Sequence, residues 1–219
     1  IKGDASFREF YRNRENKSII VISKKEKLKN LLIYDAINKI LNQNNLIAPK
    51  LLSEEYNSNF IEVNDFGKVS VLDYIVKKKN KLTIFKKIIE LLIKLQKIKT
   101  RKVRDFKNKL YYIPVYSNKL LFDEAKLFCD WYVPENIKKD NSKINKKLKI
   151  KIRVLLKSLK QKNNVFVHRD FHISNLMLFK KKLAIIDTQD AVIGNEAYDL
   201  ASFVDDVRYK TSNSFKKKI

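Results

Sequence analysis

The fold is indicated most strongly by one stretch of the sequence, Val167-His168-Arg169-Asp170-Phe171-His172-Ile173-Ser174-Asn175-Leu176. It follows a short apolar segment. After it, the apolar run Ala184-Ile185-Ile186 leads directly into Asp187, which lies twelve residues beyond Asn175. This pattern predicts a loop that presents polar side chains, followed by a buried strand whose end holds a carboxylate rigidly.

The polar side chains of this stretch are of the types that phosphoryl transfer uses. That reaction needs a carboxylate near the incoming hydroxyl and oxygen ligands for Mg²⁺ that bridges the phosphates. Asp and Asn provide hard oxygen ligands, and the five-residue step from Asp170 to Asn175 lets one loop place a base and a metal ligand on the same side. We therefore predict one site built from Asp170, Asn175 and Asp187.

The sequence around this loop divides at Gly67. Before it, residues 5–12 and 18–23 predict a β-hairpin, residues 26–43 have helical spacing, and residues 60–63 predict another strand. After it, four segments have helical spacing: residues 71–76, 82–98, 120–132 and 144–159. Two short strands are predicted later, at residues 164–167 and 183–186. We expect an α+β fold with a β-rich N-terminal lobe (residues 1–66), a larger helical C-terminal lobe (residues 67–219) and a cleft between them.

The loop resembles the catalytic loop of protein kinases, in which His-Arg-Asp is followed by Asn five positions after the Asp. With His172 where protein kinases usually carry lysine, it is more similar to the aminoglycoside phosphotransferase and choline kinase superfamily. Within that superfamily, four segments resemble the anomeric kinases of N-acetylmuramate and N-acetylglucosamine: residues 3–8, 130–132, 168–172 and 189–194. The resemblance covers nearly the whole chain and implies a protein-kinase-like fold.

This resemblance implies an ATP-dependent, Mg²⁺-requiring kinase of a small-molecule hydroxyl, with a place in cell-wall sugar recycling. Asp170 is then the base or orienter of the acceptor hydroxyl, and Asn175 and Asp187 hold Mg²⁺. The implied nucleotide-binding residues are a loop over the phosphates (Gly3, Asp4, Ala5, Ser6 and Phe7) and a hinge whose backbone meets adenine (Glu62, Val63, Asn64 and Asp65).

Further residues are expected to shape the site: His168, Arg169, His172, Asp190 and Asp199. We expect His168 to brace the loop from the core and Asp199 to bind the loop backbone. His172 either packs or contacts the site. Asp190 is either a supporting carboxylate or a sugar contact, and we favour the first.

Three features fit the kinase pattern less directly. Asp65-Phe66-Gly67 has the sequence of the metal-binding tripeptide of protein kinases. Because it precedes the catalytic loop in the chain, we interpret it as the hinge and not as a metal site. The strand that ends at Ser23 lacks the phosphate-binding lysine of the protein-kinase pattern, for which Lys24 or Lys25 could substitute. Trp131-Tyr132, at helical spacing, favours a core position, with a sugar-stacking platform as the alternative.

Composition excludes several classes of protein. The net charge of +24 suggests nucleic-acid binding, but only eight of the 48 basic residues are arginine and the lysines are spread along the whole chain. A dedicated nucleic-acid function is therefore disfavoured.

The 44% apolar content supports a sizeable core. Cys129 is the only cysteine, which excludes an intramolecular disulfide. With no long apolar run and no signal-peptide pattern, the sequence predicts a soluble, cytoplasmic protein without a membrane partner.

Because the only methionine is Met177 and the first residues already belong to a motif, we expect a fragment of a longer protein that lacks part of the acceptor wall.

Three functions remain open: a kinase that makes a sugar 1-phosphate, a kinase of the same fold acting on an aminoglycoside, choline, homoserine or a protein hydroxyl, and a non-enzymatic or nucleic-acid-binding descendant. Retention of the three site residues disfavours the last. The short step from Asp187 to Tyr198 leaves no activation segment, which disfavours a protein substrate. The acceptor hydroxyl and the oligomeric state have no readable signal.

Overall fold

In a computed structural model, which describes residues 8–77, 80–137, 141–159 and 162–219, the first two described strands form an antiparallel hairpin. Strands β1 (Arg8–Asn13) and β2 (Ser18–Ser23) pair so that Arg8 lies opposite Ser23. The predicted hairpin is therefore present in the described residues. Its register places two chain positions with very different side chains, Arg8 and Ser23, next to each other at the same end of the sheet.

The hairpin belongs to a four-stranded sheet in the order β1-β2-β4-β3, with β3 at Leu51–Glu55 and β4 at Phe60–Asn64. Helix α1 (Lys29–Gln43) covers this sheet. Leu31 and Tyr34 of α1 pack with the sheet residues Val21, Ile61 and Val63 in one cluster. One face of α1 thus completes a small β-rich core. Strand β3 was not predicted, because its sequence does not alternate apolar and polar residues.

The other face of α1 belongs to a second, larger core, which Ile37, Ile40 and Leu41 join. Of the helices that follow Gly67, α2, α3 and α7 contribute buried residues to this larger core, together with short strands and loops. The helices after Gly67 are α2 (Val71–Val76), α3 (Leu82–Gln96), α4 (Asn118–Leu127), α5 (Val133–Asn136), α6 (Asn141–Ser158), α7 (Ala197–Val204) and α8 (Asn213–Lys216). Because α1 contributes to both cores, it ties the sheet to the helical part of the chain.

The predicted helix 120–132 is interrupted. A π-helical turn occupies Phe128–Tyr132 between α4 and α5. Trp131 is 73% exposed and Tyr132 is 55% exposed, so the expected core position of this pair is wrong. A π-helical turn closes with i→i+5 hydrogen bonds and therefore rotates the side chains away from the α-helical register. In this turn Cys129 faces the core and the aromatic rings face outward.

Three short antiparallel pairs complete the fold. They are β5 (Lys102–Arg104) with β6 (Leu110–Tyr112), β7 (Val165–Val167) with β10 (Val192–Gly194), and β8 (Leu176–Phe179) with β9 (Lys182–Ile185). Gly194 is needed in β10, since a Cβ there would lie 3.0 Å from Cγ2 of Val167 and 3.3 Å from the Tyr116 ring. Among the described helices, each is too short or too polar to span a bilayer.

Candidate active site

Short strands hold the polar loop at its two ends. Strand β7 ends at Val167, the residue before His168, and β8 begins at Leu176, the residue after Asn175. In the β8–β9 hairpin Leu176 pairs with Ile185, and the Ile186 N–H donates to the Asn175 carbonyl at 3.0 Å. The backbone at Asn175 is therefore adjacent to the backbone that leads into Asp187. Strand pairing thus places the backbones that carry the two predicted metal ligands side by side.

His168 is fully buried and connects the loop to the end of β9. Its Nδ1 accepts from the Asp170 N–H at 3.2 Å, and its Nε2 lies 3.1 Å from the Ile186 carbonyl oxygen. Because Nδ1 accepts a hydrogen bond and Nε2 faces a carbonyl oxygen, the His168 ring is assigned as the neutral tautomer with its proton on Nε2. The imidazole thus joins the residue that carries the candidate base to the residue before Asp187.

Asp199, on α7, binds the backbone of the loop through hydrogen bonds. Its fully buried carboxylate accepts from the N–H groups of His168 at 2.7 Å and Arg169 at 3.0 Å. Burial raises the pKa of Asp199, while the two backbone hydrogen bonds oppose that rise. Arg169 has a φ of 74°, a left-handed conformation that is uncommon for a residue other than glycine. The two hydrogen bonds to Asp199 stabilise this conformation.

Arg169 also ties the loop to α4. Its guanidinium forms an ion pair with Glu124, donates to the Asp190 carbonyl at 3.1 Å and lies over the Tyr116 ring. The Tyr116 hydroxyl donates to the same Glu124 carboxylate. Sequence reasoning missed Glu124, because nothing in the spacing of 45 residues indicates that it meets Arg169. The loop is therefore anchored on both α4 and α7.

Asp170, Asn175 and His172 form one hydrogen-bonded group. The Asn175 Nδ2 donates to the Asp170 carbonyl at 3.0 Å and to its Oδ2 at 3.1 Å. The buried His172 places Nε2 3.1 Å from Oδ1 of Asp170, whose side chain is 51% exposed. The hydrogen bond from His172 lowers the pKa of Asp170, against the opposing effect of partial burial. Asp170 is thus an ionised carboxylate that faces solvent, so it can accept a hydrogen bond from a hydroxyl.

The donor set at Asn175 and Asp187 suits Mg²⁺. The Asn175 Nδ2 faces Asp170 and, at 3.2 Å, Nε2 of His172, which leaves Oδ1 as the atom able to ligate a metal. Asp187 is partly exposed, with its Oδ1 accepting from Gln189 at 3.0 Å and from Arg8 at 3.2 Å. Two hard oxygen ligands on adjacent strand ends fit a metal that keeps several waters and takes its remaining ligands from phosphates.

Gln189 links Asp187 to Asp190, the predicted supporting carboxylate. Its Nε2 donates to Oδ1 of Asp187 and, at 2.9 Å, to Oδ2 of Asp190. The neighbouring Thr188 donates to Oδ1 of Asn38 on α1 at 2.7 Å. The segment after β9 is therefore fastened to the helix that covers the sheet. Asp190 itself is exposed, and its carboxylate reaches Asp187 only through Gln189.

The hinge residues occupy two different environments. Glu62, Val63 and Asn64 lie in β4, flanked by β2 and β3, so their backbone groups face neighbouring strands. The side chain of Asp65 binds Arg12, with 2.5 Å between Nε and Oδ2, and accepts from the Gly67 N–H at 2.8 Å. Among the described residues, neither the Asp65 carbonyl nor the Phe66 N–H has a hydrogen-bond partner. The backbone groups of this segment that are open to a ligand are thus those at Asp65 and Phe66, and the contact of residues 62–65 with adenine stays a prediction.

Two further groups of predicted residues are the phosphate loop and the two candidate lysines. Gly3, Asp4, Ala5, Ser6 and Phe7 lie outside the described residues. Lys24 and Lys25 are exposed, at and just before a 3₁₀ turn (Lys25–Lys27), and Ser23 is buried. The cation beside Asp187 is Arg8, which the sequence reasoning quoted in a motif but gave no role.

The sequence profile described as the phosphotransferase enzyme family matches residues 1–217. The chain belongs to this phosphotransferase enzyme family, which the loop at residues 167–176 had indicated. Two relatives are N-acetylmuramate/N-acetylglucosamine kinases, from Pseudomonas aeruginosa (26% identical over 205 residues) and Neisseria meningitidis serogroup B (26% over 219 residues). The matches cover 93% and 97% of this chain, but only 58% and 62% of the relatives.

Solved structures share the fold at low sequence identity. Choline kinase LicA from Streptococcus pneumoniae superposes with a TM-score of 0.66 at 13% identity, covering 99% of this chain and 70% of that one. The aminoglycoside phosphotransferase APH(3'')-Id from Streptomyces rimosus, in complex with ADP and streptomycin, has a TM-score of 0.65 at 12% identity, with 99% and 84% covered. These likenesses confirm the predicted α+β, protein-kinase-like fold class.

Proposed function

We propose that this chain is the catalytic part of a kinase that transfers the γ-phosphate of ATP to a hydroxyl of a small molecule. The observation that carries the proposal is the convergence of Asp170, Asn175 and the end of β9 in one hydrogen-bonded group. A carboxylate and an amide oxygen in one group, with a second carboxylate on the adjoining backbone, are what phosphoryl transfer needs from a protein, since its catalysis is mostly positioning and charge stabilisation.

In this proposal the nucleotide lies between the sheet and the loop. Adenine meets the Asp65 carbonyl and the Phe66 N–H, and the phosphates lie under the predicted loop at residues 3–7. Oδ1 of Asn175 and the carboxylate of Asp187 hold Mg²⁺. When bound, Mg²⁺ supplies positive charge to the phosphate oxygens as charge develops on them.

Asp170 orients the acceptor in this proposal. Its carboxylate accepts a hydrogen bond from the hydroxyl and aims the hydroxyl oxygen at the γ-phosphorus. Because His172 lowers the pKa of Asp170, this carboxylate is a weak base that takes the proton late in the transfer. An acceptor whose hydroxyl is more acidic than an ordinary alcohol suits such a base.

We propose N-acetylmuramate or N-acetylglucosamine as the acceptor, phosphorylated at the anomeric hydroxyl, with a role in cell-wall sugar recycling. The anomeric hydroxyl is more acidic than the other hydroxyls of a sugar. The names of the two bacterial relatives support this acceptor class. The exposed rings of Trp131 and Tyr132 are available for stacking on a sugar, although they lie in α4's continuation rather than in the loop.

The acceptor is tested with the full-length protein, ATP and Mg²⁺, following ADP release and the phosphorylated product by ³¹P NMR. N-acetylmuramate or N-acetylglucosamine should be phosphorylated, and the matched 1-O-methyl glycoside should give only background, because it lacks the anomeric hydroxyl. Equal rates for the glycoside and the free sugar would place transfer elsewhere on the ring. Choline or an aminoglycoside reacting faster than every amino sugar would favour the second candidate, a kinase of the same family with another acceptor. ADP release that no acceptor stimulates would contradict a kinase.

A further inference from the structure

The end of β2 carries Ser23 where the protein-kinase pattern has its phosphate-binding lysine, and Lys24 and Lys25 were the candidate substitutes. Ser23 is buried, and its hydroxyl contacts the carbonyl oxygens of Lys24 and Lys27. Lys24 and Lys25 are exposed. The end of β2 therefore presents no basic side chain to the interior, although the proposed site must hold the several negative charges of a nucleotide triphosphate.

The residue directly opposite Ser23 is Arg8 on β1. Opposed residues in an antiparallel pair lie on the same face of the sheet with their Cβ atoms about 5 Å apart. Arg8 is only 5% exposed. Its side chain thus enters, from the neighbouring strand, the same region that a basic residue at position 23 would occupy.

Contacts from three directions hold the Arg8 guanidinium. Nη1 donates to Oδ1 of Asn30 on α1 at 2.9 Å, and Nη2 lies 3.2 Å from Oδ1 of Asp187. The guanidinium also lies 5.6 Å from the ring centre of Tyr34 and 5.9 Å from that of Phe10. A guanidinium in a fixed plane is well suited to phosphate oxygens. Among these contacts with described residues, the acidic partner is Asp187, the carboxylate we propose as a metal ligand.

We infer that Arg8 is the phosphate-binding cation of the site, supplied by β1 in place of a lysine on β2. This inference rests on the proposed function, because it needs a nucleotide in the cleft. Arg8 contacts Asp187, so phosphates bound to a metal on Asp187 would lie within reach of the guanidinium. Its positive charge offsets the repulsion between the Asp187 carboxylate and the phosphates. Asn30, which is neutral, holds the guanidinium without cancelling its charge.

The inference is tested by comparing the binding of two probes, MgATP and adenosine, to the full-length protein by isothermal titration calorimetry. Arg8→Gln should weaken the binding of MgATP by about tenfold to a hundredfold, the scale of a lost charge-assisted hydrogen bond. Adenosine has no phosphates, so its binding should stay within about twofold. Arg8→Lys should recover part of the MgATP affinity. Arg14→Gln, which removes the same charge from the exposed turn of the same hairpin, should leave both affinities unchanged.

The outcomes separate a binding role from a structural one. If Arg8→Gln fails to fold, Asn30→Ala keeps the charge but releases the guanidinium, and it should weaken MgATP more than adenosine. Unchanged MgATP affinity in the Arg8 variants, or equal weakening of MgATP and adenosine, would overturn the inference and leave the proposed function standing. A wild-type protein that binds neither probe would overturn the proposed function, and with it the inference.

Discussion

Asp187→Asn is expected to lower ATP-dependent phosphoryl transfer by about 10²- to 10³-fold, the scale seen when one charge-stabilising group is removed from an active site. The substitution keeps the size of the side chain and its contact with Arg8 but removes the negative charge that would hold Mg²⁺. Raising the Mg²⁺ concentration should recover part of the activity, because the remaining ligand, Asn175, still provides an oxygen. The measurement is initial rate of ADP release at saturating acceptor over a range of Mg²⁺ concentrations.

Asparagine is the better probe at this position than alanine. Asp187 has a φ of 60°, and asparagine tolerates the left-handed region better than other residues that carry a Cβ. Asp187→Ala should therefore lose activity to the same extent and also unfold at a lower temperature, because it adds backbone strain and leaves Arg8 without its carboxylate partner. Asp205→Asn, which changes an exposed carboxylate on the helical side, is the matched control. Near-normal rates in Asp187→Asn would mean that the metal ligand has been misassigned.

Asp170→Asn is expected to lower kcat by about 10²-fold or more, the usual effect of removing a positioned base. The variant can still contact His172 and Asn175, so the loop should keep its conformation and the KM for ATP should change little. Initial rates over a range of ATP concentrations separate the two parameters. A rise in the KM for ATP with an unchanged kcat would show that Asp170 binds the nucleotide and does not act on the acceptor.

The pH dependence gives a second measure of Asp170. Because the hydrogen bond from His172 lowers the pKa of Asp170, this carboxylate should stay ionised even when the pH falls to the ordinary pKa of an aspartate side chain. His172→Phe removes the hydrogen bond, so the pKa of Asp170 should rise and the acid limb of the kcat/KM profile should move to higher pH. An acid limb in the same place for both proteins would show that His172 does not act on Asp170.

The larger elements were predictable because their patterns are long. The hairpin of β1 and β2 and helices such as α3 span enough residues for apolar spacing to be read. Strands β5, β6 and β10 have three residues each, too few to show alternation, whereas the equally short β7 was predicted from the apolar stretch before the loop. The outward rotation of Trp131 was not predictable either, since helical spacing does not distinguish an α-helical turn from a π-helical one.

Within the site, what lies close in sequence was predictable and what meets across the fold was not. Asp170 and Asn175 are five residues apart, and their hydrogen bond follows from one tight loop. Arg8 meets Asp187 across 179 residues, and Glu124 meets Arg169 across 45. Such contacts depend on how β1 and α4 pack, which spacing does not encode. The only available signal for Arg8 was its place at the end of the motif that begins at Gly3.

The most direct test of the site is a crystal structure of the full-length protein with a non-hydrolysable ATP analogue and Mg²⁺. We predict that the metal is bound by Oδ1 of Asn175 and the carboxylate of Asp187, with the Asp170 carboxylate facing the terminal phosphate and adenine at Asp65–Phe66. Nucleotide bound elsewhere, for example in the cavity of about 650 Å³ lined in part by Tyr209 and Phe215, would contradict the account. So would a metal held by residues other than Asn175 and Asp187.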